Sequence, residues 1–161
     1  MVAGKYVTAR VCGGILGAVG CLFGTSLFGV GAAHAADTVY FAMGGWNCSI
    51  GADSVVGCDL TPPAPSMNVL YAGAQMSVPN VPAIVIDSAA MPAHPQWNSN
   101  GSHTLPGGNP PLARIESADA RAARFSITYA GANCQITYRD VAVCSSMGHG
   151  FSQWGPVPQG Y

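Results

Sequence analysis

The side chains of this sequence with chemistry to offer include four histidines, seven carboxylates and six cysteines. His149 stands between Gly148 and Gly150, beside Ser145, Ser146 and Ser152. Serine hydrolysis there would need one hydroxyl within hydrogen-bond reach of the imidazole and a carboxylate such as Asp140 to orient the ring. No nucleophile-elbow motif presents the serine. The preferred reading is that the glycines permit a tight turn after the last strand and Phe151 docks on the core. His94 and His103 flank Trp97, with Asp87 nearby, and could join His149 around a metal. Such sites normally draw on tighter spacing along a regular element. Asp53, Asp59, Asp87, Glu116, Asp119 and Asp140 are scattered and offer no pair suited to glycoside cleavage. The expectation is no catalytic centre, no metal and no other cofactor.

The cysteines point to structure instead. Cys48 and Cys58 form one C-x9-C unit, Cys134 and Cys144 a second, 86 residues further on. Six of fourteen positions repeat at that offset: Gly45/Gly131, Asn47/Asn133, Cys48/Cys134, Ile50/Ile136, Val55/Val141 and Cys58/Cys144. Folded as antiparallel hairpins with the cysteines opposed, the first unit gathers Trp46, Cys48, Ile50, Val56, Cys58 and Leu60 on one face. Asn47, Ser49, Gly51, Val55, Gly57 and Asp59 take the other, the alternation a half-buried strand pair requires. In the second unit Ala132, Cys134, Ile136, Ala142 and Cys144 share a face, with Val141 and Val143 as imperfections opposite. Tips are expected at 52–54 and 138–140. Directly opposed cysteines come close enough to bridge, which favours Cys48–Cys58 and Cys134–Cys144 over the crossed pairings. Zinc would prefer C-x2-C knuckles, and redox chemistry C-x-x-C.

Trp97 lies in an irregular, proline-rich stretch. Such an aromatic either pins its loop or serves as a contact residue for a protein or sugar ligand, with Trp154 a second candidate. His94, His103 and His149 complete the set of candidate ligand contacts.

The elements around these residues begin with a leader. Lys5 and Arg10 precede the apolar, glycine-rich run Val11 to Val30, and Ala33-His34-Ala35 ends it with a small-x-small pattern. Residues 1–35 therefore read as a signal peptide cleaved between Ala35 and Ala36, exported by the general secretory route. An uncleaved anchor would be the one membrane attachment, and a lipoprotein at Cys21 is weaker still. The remaining residues 36–161 hold four arginines against seven acids, a net charge of −3. With no basic cluster to displace counterions, nucleic acid is excluded as a partner, and so is electrostatic attachment to a membrane surface.

Between the hairpins, about 61–111, lie ten of the twelve prolines. Residues 68–72 and 83–86 are strand candidates, with Pro79 and Pro82 confining theirs to an edge or a strand entrance. From 89 to 111 no periodicity is found, and a loop that long inside one domain is usually functional or disordered. A strand over 112–116 and a short helix over 117–124, capped by Ser117, are candidates. Residues 125–129 alternate as a strand feeding the second hairpin, and Pro156, Pro158 and Gly160 suggest an irregular tail.

Gly131 to Phe151, with Asn133-Cys134, Val143-Cys144 and Gly148-His149-Gly150-Phe151, resembles the C-terminal part of small exported proteins of mycobacteria and related actinobacteria. Asn47-Cys48-Ser49-Ile50 and Gly57-Cys58-Asp59-Leu60 are similar to an upstream cysteine-pair element in some of them. The resemblance implies export and disulfides and brings no known activity. The expected protein is mainly β, a single small secreted domain stapled at two C-x9-C hairpins, with at most one short helix. Its expected role is that of a cell-envelope-associated binding or structural module rather than an enzyme. An inhibitor or ligand of another secreted protein, acting through the 89–111 loop, is the alternative, and a hydrolase centred on His149 the third.

Overall fold

The computed structural model describes residues 34–35, 37–99, 101–112 and 125–161. Residues 1–33, which hold most of the expected leader, Ala36, Asn100, the candidate strand beyond Leu112 and the candidate helix at 117–124 lie outside them. The described residues form eleven strands and no helix. The first three are β1 (His34–Ala35), β2 (Thr38–Met43) and β3 (Trp46–Gly51). Two long ones follow, β4 (Val56–Tyr71) and β5 (Ala74–Ile86), then the two-residue β6 (His94–Pro95). The rest are β7 (Phe125–Tyr129), β8 (Ala132–Ile136), β9 (Ala142–Ser146), β10 (His149–Trp154) and β11 (Val157–Gly160).

Both cystine hairpins form as the alternation requires. Cys48 lies directly opposite Cys58, and Cys134 opposite Cys144, with Cα atoms 4.0 and 4.1 Å apart. All six residues expected on the apolar face of the first hairpin are buried. Each bridge removes about 2.7 kcal/mol of loop-closure entropy from the unfolded chain.

The repeat is larger than the cysteine units. β2 pairs with β3 in the register that places Phe41 against Cys48, and β7 with β8 in the register that places Ile127 against Cys134. On the far side Cys58 meets Ile84 of β5, while Cys144 meets Phe151 of β10. Two four-stranded units thus carry matching rows, Phe41–Cys48–Cys58–Ile84 and Ile127–Cys134–Cys144–Phe151. Two-residue turns set these registers. At Ala130-Gly131 and Met147-Gly148 both central residues have positive φ, 48° and 84° in one and 52° and 83° in the other. That combination matches the right-handed twist of the flanking strands.

β4 joins the two units. One of its edges carries β5, while the other carries β3 along Val56–Asp59 and β11, in parallel, at Asn68 and Val69. Between Asp59 and Ala64 the β4–β5 register shifts. Pro62 and Pro63 lie in that interval and have no N–H for a ladder, so the strand bulges and bends there. The sheet nearly closes, and Trp46 of the first unit meets Phe151 of the second with ring centroids 6.3 Å apart. Phe41, Phe151, Ile50, Met67, Ile84 and Ile86 are the largest apolar side chains sealed between them.

Three sequence expectations need correction. The C-terminal tail is regular: β10 and β11 pair with each other, and Gly150 and Tyr161 exchange main-chain hydrogen bonds at 2.8 and 2.9 Å. Pro158 is tolerated because its partner Gln153 occupies a non-hydrogen-bonded position, so the missing N–H points away from β10. The turn at Gly148 consequently precedes two more strands, although Phe151 does dock in the core. In the 89–111 stretch His94 and Pro95 add a short strand to β5. Pro79 and Pro82 do sit where β5 has β4 on one side only.

Candidate functional site

The polar face of the first hairpin receives a loop. A Cβ at Gly57 would fall inside the imidazole of His103, so the absent side chain is what lets that ring lie flat on β4. The ring is buried. Ser49 Oγ donates to its Nδ1 at 2.8 Å, and its Nε2–H donates to Gln96 Oε1 at 3.0 Å. Both bonds suit the neutral imidazole, and burial holds His103 below the ordinary histidine value while the Asp59 charge opposes the shift. Asp59 Oδ2 accepts the His103 N–H at 2.9 Å and the Thr104 hydroxyl at 2.7 Å. Asn109 extends the latch, its Nδ2 reaching the carbonyls of Cys48 and His103 at 2.9 and 2.8 Å. Pro111 then bridges Ala42 of β2.

The second hairpin has no such receptor. At the repeat offset Ser49 becomes Gln135, Gly57 becomes Val143 and Asp59 becomes Ser145. One copy of the repeat has been fitted to hold the loop.

With 101–112 tied down, the preceding residues 91–97 lie against one face of the β4–β5 ribbon. Val69 and Tyr71 of β4 and Met76 and Val78 of β5 form the floor of a groove of 390 Å³, and Met91, Pro92, His94, Pro95 and Trp97 form its other wall. Tyr71, Met76, Met91 and Trp97 are 48%, 46%, 44% and 58% exposed. His94 is the one ionisable side chain of the lining besides the tyrosine. Its Nδ1–H donates to Pro92 O at 3.0 Å, and its Nε2 lies 3.7 Å from Asp87 Oδ2.

The structure therefore brings Trp97 and His94 together and separates the other candidates. Trp97 is exposed and does not anchor the loop, a task His103 and Asn109 perform. His149 donates from Nε2 to Ala89 O at 3.1 Å, outside the groove. Ser146 donates its hydroxyl to Ser54 O at 2.6 Å. The serine–histidine pair that forms is Ser49–His103, closed over by the latch. Among the described residues no three of His, Cys, Asp and Glu gather as metal ligands do. Trp154, 63% exposed, stands at another surface beside Arg139. Sequence reasoning missed the groove floor, although the strand candidate at 68–72 contains two of its residues.

Fold and groove together define a disulfide-stapled, mainly β protein with an apolar surface cleft. Stable disulfides belong to an oxidising compartment, and no helix among the described residues is long and apolar enough to cross a membrane. No protein-family model, curated protein or solved structure matches the chain.

Proposed function

We propose that this protein is an exported, envelope-associated binding module whose groove takes an alkyl chain of an envelope lipid. The leader at 1–35 and the two disulfides support export. The observation that carries the reading is the convergence of Tyr71, Met76, Met91 and Trp97, four of the large apolar side chains left exposed, on a single groove. Aromatic residues and thioethers there form a surface that repacks readily around a flexible chain. The lining offers few polar groups beyond His94 and the Tyr71 hydroxyl, so an occupant of the groove is held mainly by apolar side-chain contact, which suits an alkyl chain better than a sugar.

The test uses palmitoyl lysophosphatidylglycerol, a single-chain probe, below its micelle concentration. Titrated into the oxidised protein, it should shift tryptophan emission to the blue and saturate. Trp97→Ala should weaken binding about tenfold or more. Non-saturable binding, or equal affinity in the variant, overturns the lipid reading. The next occupant to consider is then another secreted protein engaging the same rim, as the inhibitor alternative holds.

A further inference from the structure

The tips of the two hairpins diverge although their staples match. Where the first has Ala52, Asp53 and Ser54, the second has Tyr138, Arg139 and Asp140. The first tip consumes its own polar groups: Asp53 Oδ1 accepts the Val55 N–H at 3.1 Å, and the Ser54 hydroxyl donates to Ala130 O. Both tips share one main-chain closure, Gly51 N–H to Val55 O and Thr137 N–H to Val141 O, each at 2.9 Å. In the second the Thr137 hydroxyl also donates to Val141 O at 3.2 Å, so the side chains of Arg139 and Asp140 are not spent on holding the turn. Both residues sit in the left-handed region, at φ 69° and 58°, where glycine or asparagine would be the easier choice. Arg139, the one Lys or Arg among the described residues, lies over the Tyr138 ring at 5.6 Å from its centroid.

This tip forms one wall of an open pocket of 480 Å³ whose opposite wall is Gln153 and Trp154 of β10. The volume falls in the range of small-ligand sites, about 300–1,000 Å³. Trp154 offers a broad, exposed indole whose electron-rich face attracts the slightly positive C–H bonds of a sugar ring. Around it stand a guanidinium donor, a carboxylate acceptor and a carboxamide that is both, the set that matches vicinal hydroxyls. Asp140 beside Arg139 offsets its charge, which removes the preference for an anionic ligand.

We infer that the pocket between the second hairpin tip and Trp154 binds an uncharged saccharide. Trp154 stacks on the ring, Arg139, Asp140 and Gln153 meet its hydroxyls, and Tyr138 positions Arg139. This site is separate from the Trp97 groove and stands whether or not that groove takes lipid.

The test is made in the full-length oxidised protein carrying Trp97→Phe, which leaves buried Trp46 and exposed Trp154. Acrylamide quenching is followed during titration with hexasaccharides of glucan, mannan, galactan and arabinan, and of galacturonic acid as the charged comparison. At least one neutral hexasaccharide at millimolar concentration should shield Trp154 and saturate. Trp154→Ala, read by calorimetry, and Arg139→Ala should each weaken that binding about tenfold or more. Both side chains are at the surface, so an unchanged Tm verifies the fold. Absence of shielding by every neutral sugar, binding of the uronate alone, or full affinity in both variants overturns the assignment.

Discussion

A methyl group at Gly57 has nowhere to go. Its position is occupied by the His103 ring, which Ser49 and Gln96 hold at 2.8 and 3.0 Å. Gly57→Ala must expel that ring, losing two hydrogen bonds of about 1 kcal/mol each, or force an overpacked contact costing about 1–3 kcal/mol. Against this stands a gain of about 0.5–1 kcal/mol from replacing a strand glycine by alanine. The net expectation is a loss of about 0–2.5 kcal/mol. His103→Ala alone should also destabilise, because the Ser49 hydroxyl is left buried without its acceptor. Once the ring is gone, however, the added methyl meets no obstacle, and Gly57→Ala should then be neutral or slightly stabilising. Urea unfolding of the four oxidised proteins gives this double-mutant cycle directly, with a coupling energy of about 1–3 kcal/mol expected. Equal costs of Gly57→Ala in both backgrounds would refute the claim that the glycine exists to seat the histidine.

Three further outcomes are expected. Because burial holds the folded His103 below the unfolded value of 6.5, the unfolded chain binds more protons as pH falls. The stabilisation is complete above 6.5 and declines as pH falls through it toward the folded value; His103→Gln should flatten that slope in thermal melts at pH 5 to 8. Non-reducing peptide maps should show Cys48–Cys58 and Cys134–Cys144, and replacing both Cys134 and Cys144 by serine should lower stability by about 2.7 kcal/mol. Phe151→Ala removes a fully buried ring from the second cystine row and should cost about 3–5 kcal/mol in denaturant melts.

What could be read from the sequence was local. Residues 46–60 and 132–144 reveal their buried faces because alternation and paired cysteines act within one hairpin, where a one-residue slip would turn the apolar set outward. Residues 149–160 look irregular because proline and glycine usually break strands. Pro158 escapes through the phase of a ladder with β10, which no local pattern encodes. Strand β2 was not singled out, and its kinship with β7 lies in register rather than identity, Phe41 answering to Ile127. The groove was invisible for a similar reason. Trp97 stood out as an aromatic in a loop, but Val69 and Met76 become its neighbours only through the β4–β5 ribbon. His103 was singled out as a ligand contact, whereas Gly57, 46 positions earlier, makes it an anchor.

The central claim is that a folded groove around Trp97 recognises envelope lipid. Sedimentation of the oxidised protein with its host's isolated cell envelope tests it most directly, beside reduced and alkylated protein, the Trp97→Ala variant and envelope extracted with organic solvent. The oxidised protein should pellet with intact envelope and remain soluble in each of the three comparisons. Pelleting that survives both lipid extraction and loss of Trp97 would contradict it.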